Sequence, residues 1–369
     1  MKKLAFGLMR LPLTDKDDYS KVDMDTTRAM IDRYLSQGFT YFDTAYVYHG
    51  GMSESVFGQL VAQRYPRDSF EITTKMPIFM INDAQEYPKI FAEQLERCKV
   101  EYFDNYLLHS LGKATYENVQ KMHGFEFISR MKDEGKIKRI GFSYHDDAST
   151  LDHILTDHPE TELVQLQLNY IDWEDAGIQS KACYDVCVAH GVEVMVMEPL
   201  KGGALANLPE KAEELLKKHS PDMSAASWGI RFAASLENVK GVLSGMSTPE
   251  QLEDNMNYMT DFKPLTPDEY AVIDEVVGII RASIAIPCTA CKYCIDGCPE
   301  NIAIPEYFAL FNNQKQFGKL ATHTVTFSNI ALKRGKPSDC IECGQCEEHC
   351  PQHLPIIDDL KLVKGVFED

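Results

Sequence analysis

The chain has 369 residues, 44% of them hydrophobic, which is enough for a core of α/β-barrel size. Its 37 Lys and Arg against 56 Asp and Glu leave a net charge of −19, a balance that disfavours nucleic acid and anionic membrane surfaces. No apolar run approaches a membrane span and no hydrophobic leader follows Met1, so a chain of the reducing cytoplasm is expected.

In chain order, short apolar runs alternate with amphipathic segments. Strands are predicted over 4–13 (running into a loop), 39–45, 70–76, 105–110, 139–143, 163–169, 192–197 and 239–246. Helices are predicted over 24–37, 54–65, 85–100, 125–134, 148–157, 179–190, 211–219, 225–236 and 249–259. Gly38, Gly135 and Gly191 stand where helices close. Strict alternation of this kind means a parallel sheet. Eight such units within about 250 residues fit a closed (β/α)8 barrel better than an open doubly wound sheet. The open sheet would want a Gly-rich phosphate turn after the first strand, and Gly7-Leu8-Met9-Arg10 is not one. Residues 260–266 read as a linker and 268–282 as a helix leading to a small C-terminal domain from 286 onward.

Active sites of such barrels lie at the C-terminal ends of the strands. Strand two ends Phe42-Asp43-Thr44-Ala45-Tyr46-Val47-Tyr48, strand three Thr73-Thr74-Lys75, and strand four Leu107-Leu108-His109. A strand-end Asp is ordinarily a cap and a lone Lys is ordinarily solvated. Together, on consecutive strand ends, Asp43, Tyr48, Lys75 and His109 form a candidate catalytic group. A phenol is a weak acid at neutral pH, and an ammonium beside it stabilises the phenolate. Tyr48 is therefore the candidate general acid and base, Lys75 its tuner, Asp43 the anchor of Lys75, and His109 the group that orients a carbonyl.

Over roughly residues 4–260 these motifs resemble the aldo-keto reductase family. The resemblance implies a nicotinamide-dependent reduction of a small carbonyl to its alcohol. It implies cofactor contacts at Ser143, Gln165, Glu198, Leu200, Lys201, Gly245, Ser247, Gln251 and Asn255. Tyr144 stands where the family carries Asn, and Met197 where it often carries a stacking aromatic. Gly245 and Gln251 stand where members preferring NADPH carry Lys and Arg, so little preference for NADPH over NADH is expected, with Lys201 a candidate pyrophosphate ligand. No residue of the loops at 77–87 and 111–124 specifies a substrate.

Two cysteine runs close the chain, Cys288-x2-Cys291-x2-Cys294-x3-Cys298-Pro299 and Cys340-x2-Cys343-x2-Cys346-x3-Cys350-Pro351. Zinc ribbons use paired C-x2-C units and need neither the third Cys nor the Pro, and a disulfide framework would want a secreted chain. Three thiolates at this spacing wrap one corner of a cubane, and the fourth is aimed at the other cluster. One [4Fe-4S] cluster is therefore assigned to Cys288, Cys291, Cys294 and Cys350, the other to Cys340, Cys343, Cys346 and Cys298. Residues 286–357 resemble bacterial-type ferredoxins, with a longer spacer at 300–339 that reads as helical inserts. Cys98, Cys183 and Cys187 read as buried thiols.

Coupling one-electron clusters to two-electron hydride chemistry wants a group that splits electron pairs, which keeps a flavin among the cofactors considered. The expected partners are a small carbonyl or alcohol and a redox protein. The competing readings are a ferredoxin-linked enzyme of another class and a non-catalytic electron carrier that keeps the barrel as scaffold.

Overall fold

The computed structural model describes every residue except 1, 16–17, 176–177, 283, 289, 291, 293, 296, 351 and 369. Cys291 and Pro351 of the cysteine runs thus lie outside the described residues. The chain divides into two compact units, residues 1–201 with 226–266, and residues 202–225 with 267–369.

The first unit is a closed barrel of eight parallel strands. These are β1 (Leu4–Gly7), β2 (Tyr41–Asp43), β3 (Glu71–Met76), β4 (Phe103–Leu111), β5 (Ile137–Tyr144), β6 (Leu163–Gln167), β7 (Glu193–Met197) and β8 (Val239–Ser244). Closure is made by β1 on β8, with Ala5 opposite Leu243. The helices that accompany the strands are α1 (Met24–Ser36), α2 (Ser53–Phe57), α3 (Glu86–Cys98), α4 (Lys113–Lys121), α5 (Gly124–Asp133), α6 (Ala148–Asp157), α7 (Ser180–His190), α8 (Glu210–His219), α9 (Ala225–Ser235) and α10 (Pro249–Thr260). Local chemistry starts several of them. The carboxylates of Asp23 and Asp147 accept from Thr26 N and Thr150 N at the heads of α1 and α6. Thr248 caps α10 ahead of Pro249. The barrel interior holds Ala5, Tyr41, Leu107, Leu163, Met195 and Leu243. Burying a Leu there is worth about 1.5–3 kcal/mol. The hydroxyl of Tyr41 accepts from Thr73 Oγ1 at 2.6 Å, and Asn105 Nδ2 donates to Thr73 Oγ1 at 3.1 Å, which links three polar side chains inside the barrel, while Asn105 Oδ1 has no partner among the described residues.

Three sequence expectations change. The helix expected over 54–65 is broken, α2 giving way to a π turn over Gly58–Ala62. A Cβ at Gly58 would lie 2.2 Å from the carbonyl oxygen of Arg97, so this turn must press its backbone onto the end of α3. The stretch 111–124, expected as loop, carries α4, which buries Tyr116 and Val119 three residues apart. Strand two ends at Asp43, short of the expected Ala45, and a short turn over Tyr48–Gly51 follows.

The second unit contains α8 and the helices α11 (Pro267–Ala282), α12 (Ile304–Phe317), α13 (Ala321–Ala331), α14 (Gln345–Glu348) and α15 (Ile356–Phe367). Helices α8 and α11 pack on each other, and α12 packs on α15. The spacer 300–339 thus holds α12 and α13. Its core joins Ile302, Ile304, Tyr307, Phe308, Ile356 and Leu360 to the buried Cys294, Cys346 and Cys350. No helix among the described residues is long and apolar enough to cross a membrane.

Candidate active site and cysteine cavities

Because all eight strands are parallel, Asp43, Lys75, His109, Ser143 and Gln165 come to one rim of the barrel. Lys75 is fully buried and Asp43 is 3% exposed. Lys75 Nζ donates to Asp43 Oδ1 at 2.6 Å, to the Thr44 carbonyl at 2.8 Å and to Tyr48 Oη at 3.4 Å. Gln165 Nε2 donates to the other Asp43 oxygen at 3.1 Å. The Tyr48 ring meets His109 edge-on at 5.9 Å, and Phe79 also packs on His109, at 5.5 Å. His109 Nδ1 is buried and has no hydrogen-bond partner among the described residues.

The turn that carries Tyr48 is strained and anchored. His49 and Gly50 lie in the left-handed region, at φ 52° and 62°. His49 Nδ1–H donates to the Tyr19 carbonyl at 2.8 Å, and its Nε2 accepts from Leu11 N at 3.2 Å, which fixes the tautomer. Tyr19 stacks on the His49 ring at 4.2 Å. Behind the site, the buried Glu54 accepts from Thr74 Oγ1 at 2.6 Å and Gln94 Nε2 at 2.7 Å, and Gln94 Nε2 also reaches the Lys75 carbonyl at 3.0 Å. This network joins α2, β3 and α3 around the backbone of Lys75.

The electrostatics follow from burial first. Desolvation pushes the His109 ring down to about 3, aided by Lys75 and His145, so it is neutral at physiological pH. Burial raises Tyr48 above the ordinary phenol range; the Lys75 ammonium opposes that rise and the Asp43 charge adds to it. The sequence expectation that Lys75 lowers the phenol is met in sign for that one interaction, while loss of water outweighs it. Burial opposes the charge on Lys75, yet the contacts with Asp43 and Tyr48 hold its amine above the usual range. Burial likewise raises Asp43, against the pull of Lys75.

The expected cofactor residues fall into three groups. Ser143 and Gln165 are buried neighbours in register on β5 and β6, with Ser143 Oγ accepting from Ser110 N at 2.8 Å. Glu198 and Lys201 follow β7 with left-handed backbones, φ 56° and 46°, and the Glu198 charge is felt by Tyr48. Leu200 lies over Gly229, where a Cβ would come within 2.7 Å of its Cδ2. Lys201 Nζ is held at 2.6 Å by the buried carboxylate of Asp172, which also accepts from Gln167 and Asn169. Beyond β8, Ser247 Oγ donates to the Arg10 carbonyl at 2.7 Å. Gln251 Oε1 accepts from Ser247 N at 2.7 Å, and Asn255 Nδ2 donates to Ser244 Oγ at 2.7 Å. Gly245 lies beneath the side chain of Arg10. Arg10, Glu54, His145 and Asp172 were not singled out in the sequence. The one local signal was Asn169-Tyr-Ile-Asp172, whose Asn Oδ1 accepts from the backbone N–H groups of Ile171 and Asp172.

A family model described as the aldo/keto reductase family matches residues 3–277. The chain belongs to that family. A second model, described as a 4Fe-4S dicluster domain, matches residues 287–354. L-galactose dehydrogenase of Arabidopsis thaliana is 24% identical over 306 residues, 76% of this chain and 92% of the relative. Probable aldo-keto reductase 1 of Glycine max is 29% identical over 286 residues, 65% of this chain and 77% of the relative. Among solved structures, an aldo-keto reductase from Bacillus halodurans in its holo form aligns with TM-score 0.59 at 22% identity, covering 74% of this chain and 91% of that one. An aldo-keto reductase from Klebsiella pneumoniae in complex with NADPH aligns with TM-score 0.58 at 19% identity, covering 74% and 90%. At these identities the structures speak for the barrel fold.

The iron-sulfur portion carries two cavities. One, of about 320 Å³, is lined by Cys298, Cys340, Cys343 and Cys346 with Pro299, Ile302 and Leu360. The other, of about 310 Å³, is lined by Cys288, Cys294 and Cys350 with Phe308, Leu354 and Ile356. Cys298 thus lies with the second run and Cys350 with the first. Ile304 lines both. Among the described residues no three His, Cys, Asp or Glu converge tightly enough for a single metal ion. The thiols of the two runs instead line two separate cavities, and a set of cysteine thiols is the donor set of iron-sulfur clusters.

Proposed function

We propose that this aldo/keto reductase interconverts a small carbonyl and its alcohol with a nicotinamide cofactor, and that its two cysteine cavities hold [4Fe-4S] clusters that exchange electrons with a redox protein. The observation that carries the first part is the Asp43–Lys75–Tyr48 chain, with contacts of 2.6 Å and 3.4 Å, beside a neutral His109. When bound, the nicotinamide supplies or accepts the hydride. The Tyr48 hydroxyl hands its proton to the carbonyl oxygen during reduction and takes it back during oxidation. The Lys75 ammonium steadies the phenolate that forms, and Asp43 keeps that ammonium charged and aimed. The neutral His109 is free of charge repulsion and donates or accepts a hydrogen bond at the same oxygen. Ser143 and Gln165, paired in register on the next two strands, are the residues to hold the nicotinamide amide. The NADPH-bound Klebsiella pneumoniae relative supports this reading of the cofactor.

For the clusters, the crossed lining of the cavities supports ligation by Cys288, Cys294 and Cys350 on one side, to which the spacing of the first run adds Cys291, and by Cys340, Cys343, Cys346 and Cys298 on the other. When present, each cluster carries one electron at a time.

Tyr48→Phe tests the barrel chemistry. Turnover of a carbonyl panel should fall about 10²–10⁴-fold while nucleotide affinity stays at the wild-type value. A variant that keeps more than about a tenth of wild-type turnover would remove Tyr48 from the role.

A further inference from the structure

Resting on the reading of Tyr48 as the proton donor, we infer that His49 is its positioning residue. The neutral His49 imidazole clasps the segment between β1 and α1 and thereby sets the phenol at its contact with Lys75.

The turn that carries Tyr48 hangs on that segment at three places. At its start, the Asp43 carbonyl accepts from Leu8 N at 2.8 Å. At its end, the buried Ser53 Oγ donates to the Leu8 carbonyl at 3.0 Å and meets Thr44 Oγ1 at 2.7 Å. One residue of the β1 loop thus holds both ends. The middle is held by the fully buried His49, whose Nδ1–H donates to the Tyr19 carbonyl at 2.8 Å while Nε2 accepts from Leu11 N at 3.2 Å. A neutral imidazole carries one donor and one acceptor on a rigid ring, so the two bonds together fix where residue 49 sits.

The backbone shows that the side chain matters at this position. Residues 49, 50 and 51 all have positive φ, at 52°, 62° and 90°. Glycine fills the second and third places, where it adopts this conformation without steric cost. The first place carries a ring instead, in a region that few residues other than glycine occupy. Such strain persists only where the surroundings over-determine it, and the bonds to Tyr19 and Leu11 are those surroundings.

Tyr48 is the member of its catalytic chain that needs this help. Asp43 and Lys75 stand on strands of the barrel, whereas Tyr48 stands on the turn. Lys75 Nζ lies 2.6 Å from Asp43 Oδ1 but 3.4 Å from Tyr48 Oη, a separation at the long end of the hydrogen-bond range. A swing of the turn by about 1 Å removes that contact, and a displacement of this size costs about 10²-fold in rate. The strands therefore place the two charges, and the clasp places the phenol against them.

The test uses the full-length holoprotein as wild type, His49→Gly, His49→Asn and Tyr48→Phe. Turnover is measured on 4-nitrobenzaldehyde, methylglyoxal and glyceraldehyde with NADPH and NADH. Glycine takes the left-handed backbone freely, so His49→Gly removes the clasp without adding strain. Asparagine tolerates the same backbone and keeps an N–H for the Tyr19 carbonyl. His49→Gly should lower kcat about 10–10²-fold while KM and nucleotide affinity hold, and His49→Asn should recover part of the loss. In His49→Gly the pH limb that belongs to Tyr48 should move to higher pH or leave the accessible range, because the Lys75 ammonium no longer opposes the rise that burial causes. A general loosening of the fold would lower kcat at every pH and leave the limb in place. Should His49→Gly fail to fold, His49→Asn carries the test, with a smaller kcat loss and a limb shift of the same sign. Unchanged kcat, an unmoved limb, or a loss that falls on KM overturns the role of His49 while the Tyr48 reading stands. If Tyr48→Phe keeps more than about a tenth of turnover, or wild type reduces none of the three carbonyls, both fall.

Discussion

Replacing Asp43 with Ala should cost the barrel both stability and turnover, and adding Lys75→Met should return the first without the second. The two charges sit 2.6 Å apart, with Lys75 fully buried and Asp43 only 3% exposed. Removing the carboxylate leaves the ammonium facing only neutral oxygens, the Thr44 carbonyl at 2.8 Å and Tyr48 Oη at 3.4 Å. Breaking one partner of a buried pair costs about 3–5 kcal/mol, because the remaining charge stays buried and uncompensated. At about 2–4 °C per kcal/mol for a domain of this size, that is a fall of roughly 6–20 °C in melting temperature. Removing both charges replaces the pair with an apolar group, so the double variant should return to within about 2 kcal/mol of wild type. Its turnover should stay down by at least about 10²-fold, since the phenol then has no cation beside it. Tryptophan fluorescence during urea unfolding reads the right unit, because the chain's two Trp, Trp173 and Trp228, both lie in the barrel. A double variant as unstable as Asp43→Ala, or a single variant that loses less than about 1 kcal/mol, would refute the reasoning from buried charge.

Further outcomes follow from the same geometry. His109 should contribute no acid limb to the pH–rate profile near pH 6, because its ring stays neutral down to about 3. Its effect on stability has a definite sign: the contribution is full above the unfolded histidine value of roughly 6.5 and is lost as pH falls from there toward about 3, where the unfolded chain takes a proton the folded ring refuses. A limb near pH 6 that vanishes in His109→Gln would contradict this. Glu54→Gln keeps an oxygen for Thr74 and should cost less than Glu54→Leu, which strands two buried donors at about 1–3 kcal/mol each; equal urea midpoints for the two variants would mean the Glu54 network carries no weight. Cys298→Ala should damage the cluster built on Cys340, Cys343 and Cys346, while Cys288→Ala damages the other, as read by iron content and electron paramagnetic resonance. If Cys298→Ala and Cys288→Ala abolish the same signal, each run binds its own cluster and the crossed assignment fails.

Some of this was legible in the primary structure. Eight alternating units announce a barrel because hydrophobic periodicity is a local property of strands and helices. The cysteine runs announce their cofactor because a cubane corner demands a fixed short spacing. Asp43, Lys75 and His109 could be placed on one rim from chain order alone, because parallel strands put all their C-terminal ends on the same side. Where local reading failed, packing had intervened. The helix expected through Gly58 breaks because the backbone there must touch Arg97, and the loop expected at 111–124 forms α4 because Tyr116 and Val119 find a core to fill.

Charge and distance were another matter. Arg10 lies over Gly245 across 235 residues of sequence, and Lys201 is drawn to Asp172 across 29. Nothing in the local pattern of either partner signals the other. The direction in which Tyr48 titrates was hidden for the same reason: the spacing of Tyr48 and Lys75 foretold an ammonium beside a phenol, but not that burial would outweigh it. Composition, periodicity and spacing act through neighbours along the chain, so the sequence by itself determined the architecture, the presence of an iron-sulfur domain and the identity of the catalytic candidates. Desolvation and ion pairing act through space, so only the tertiary structure decided which of those groups are charged and what each one touches.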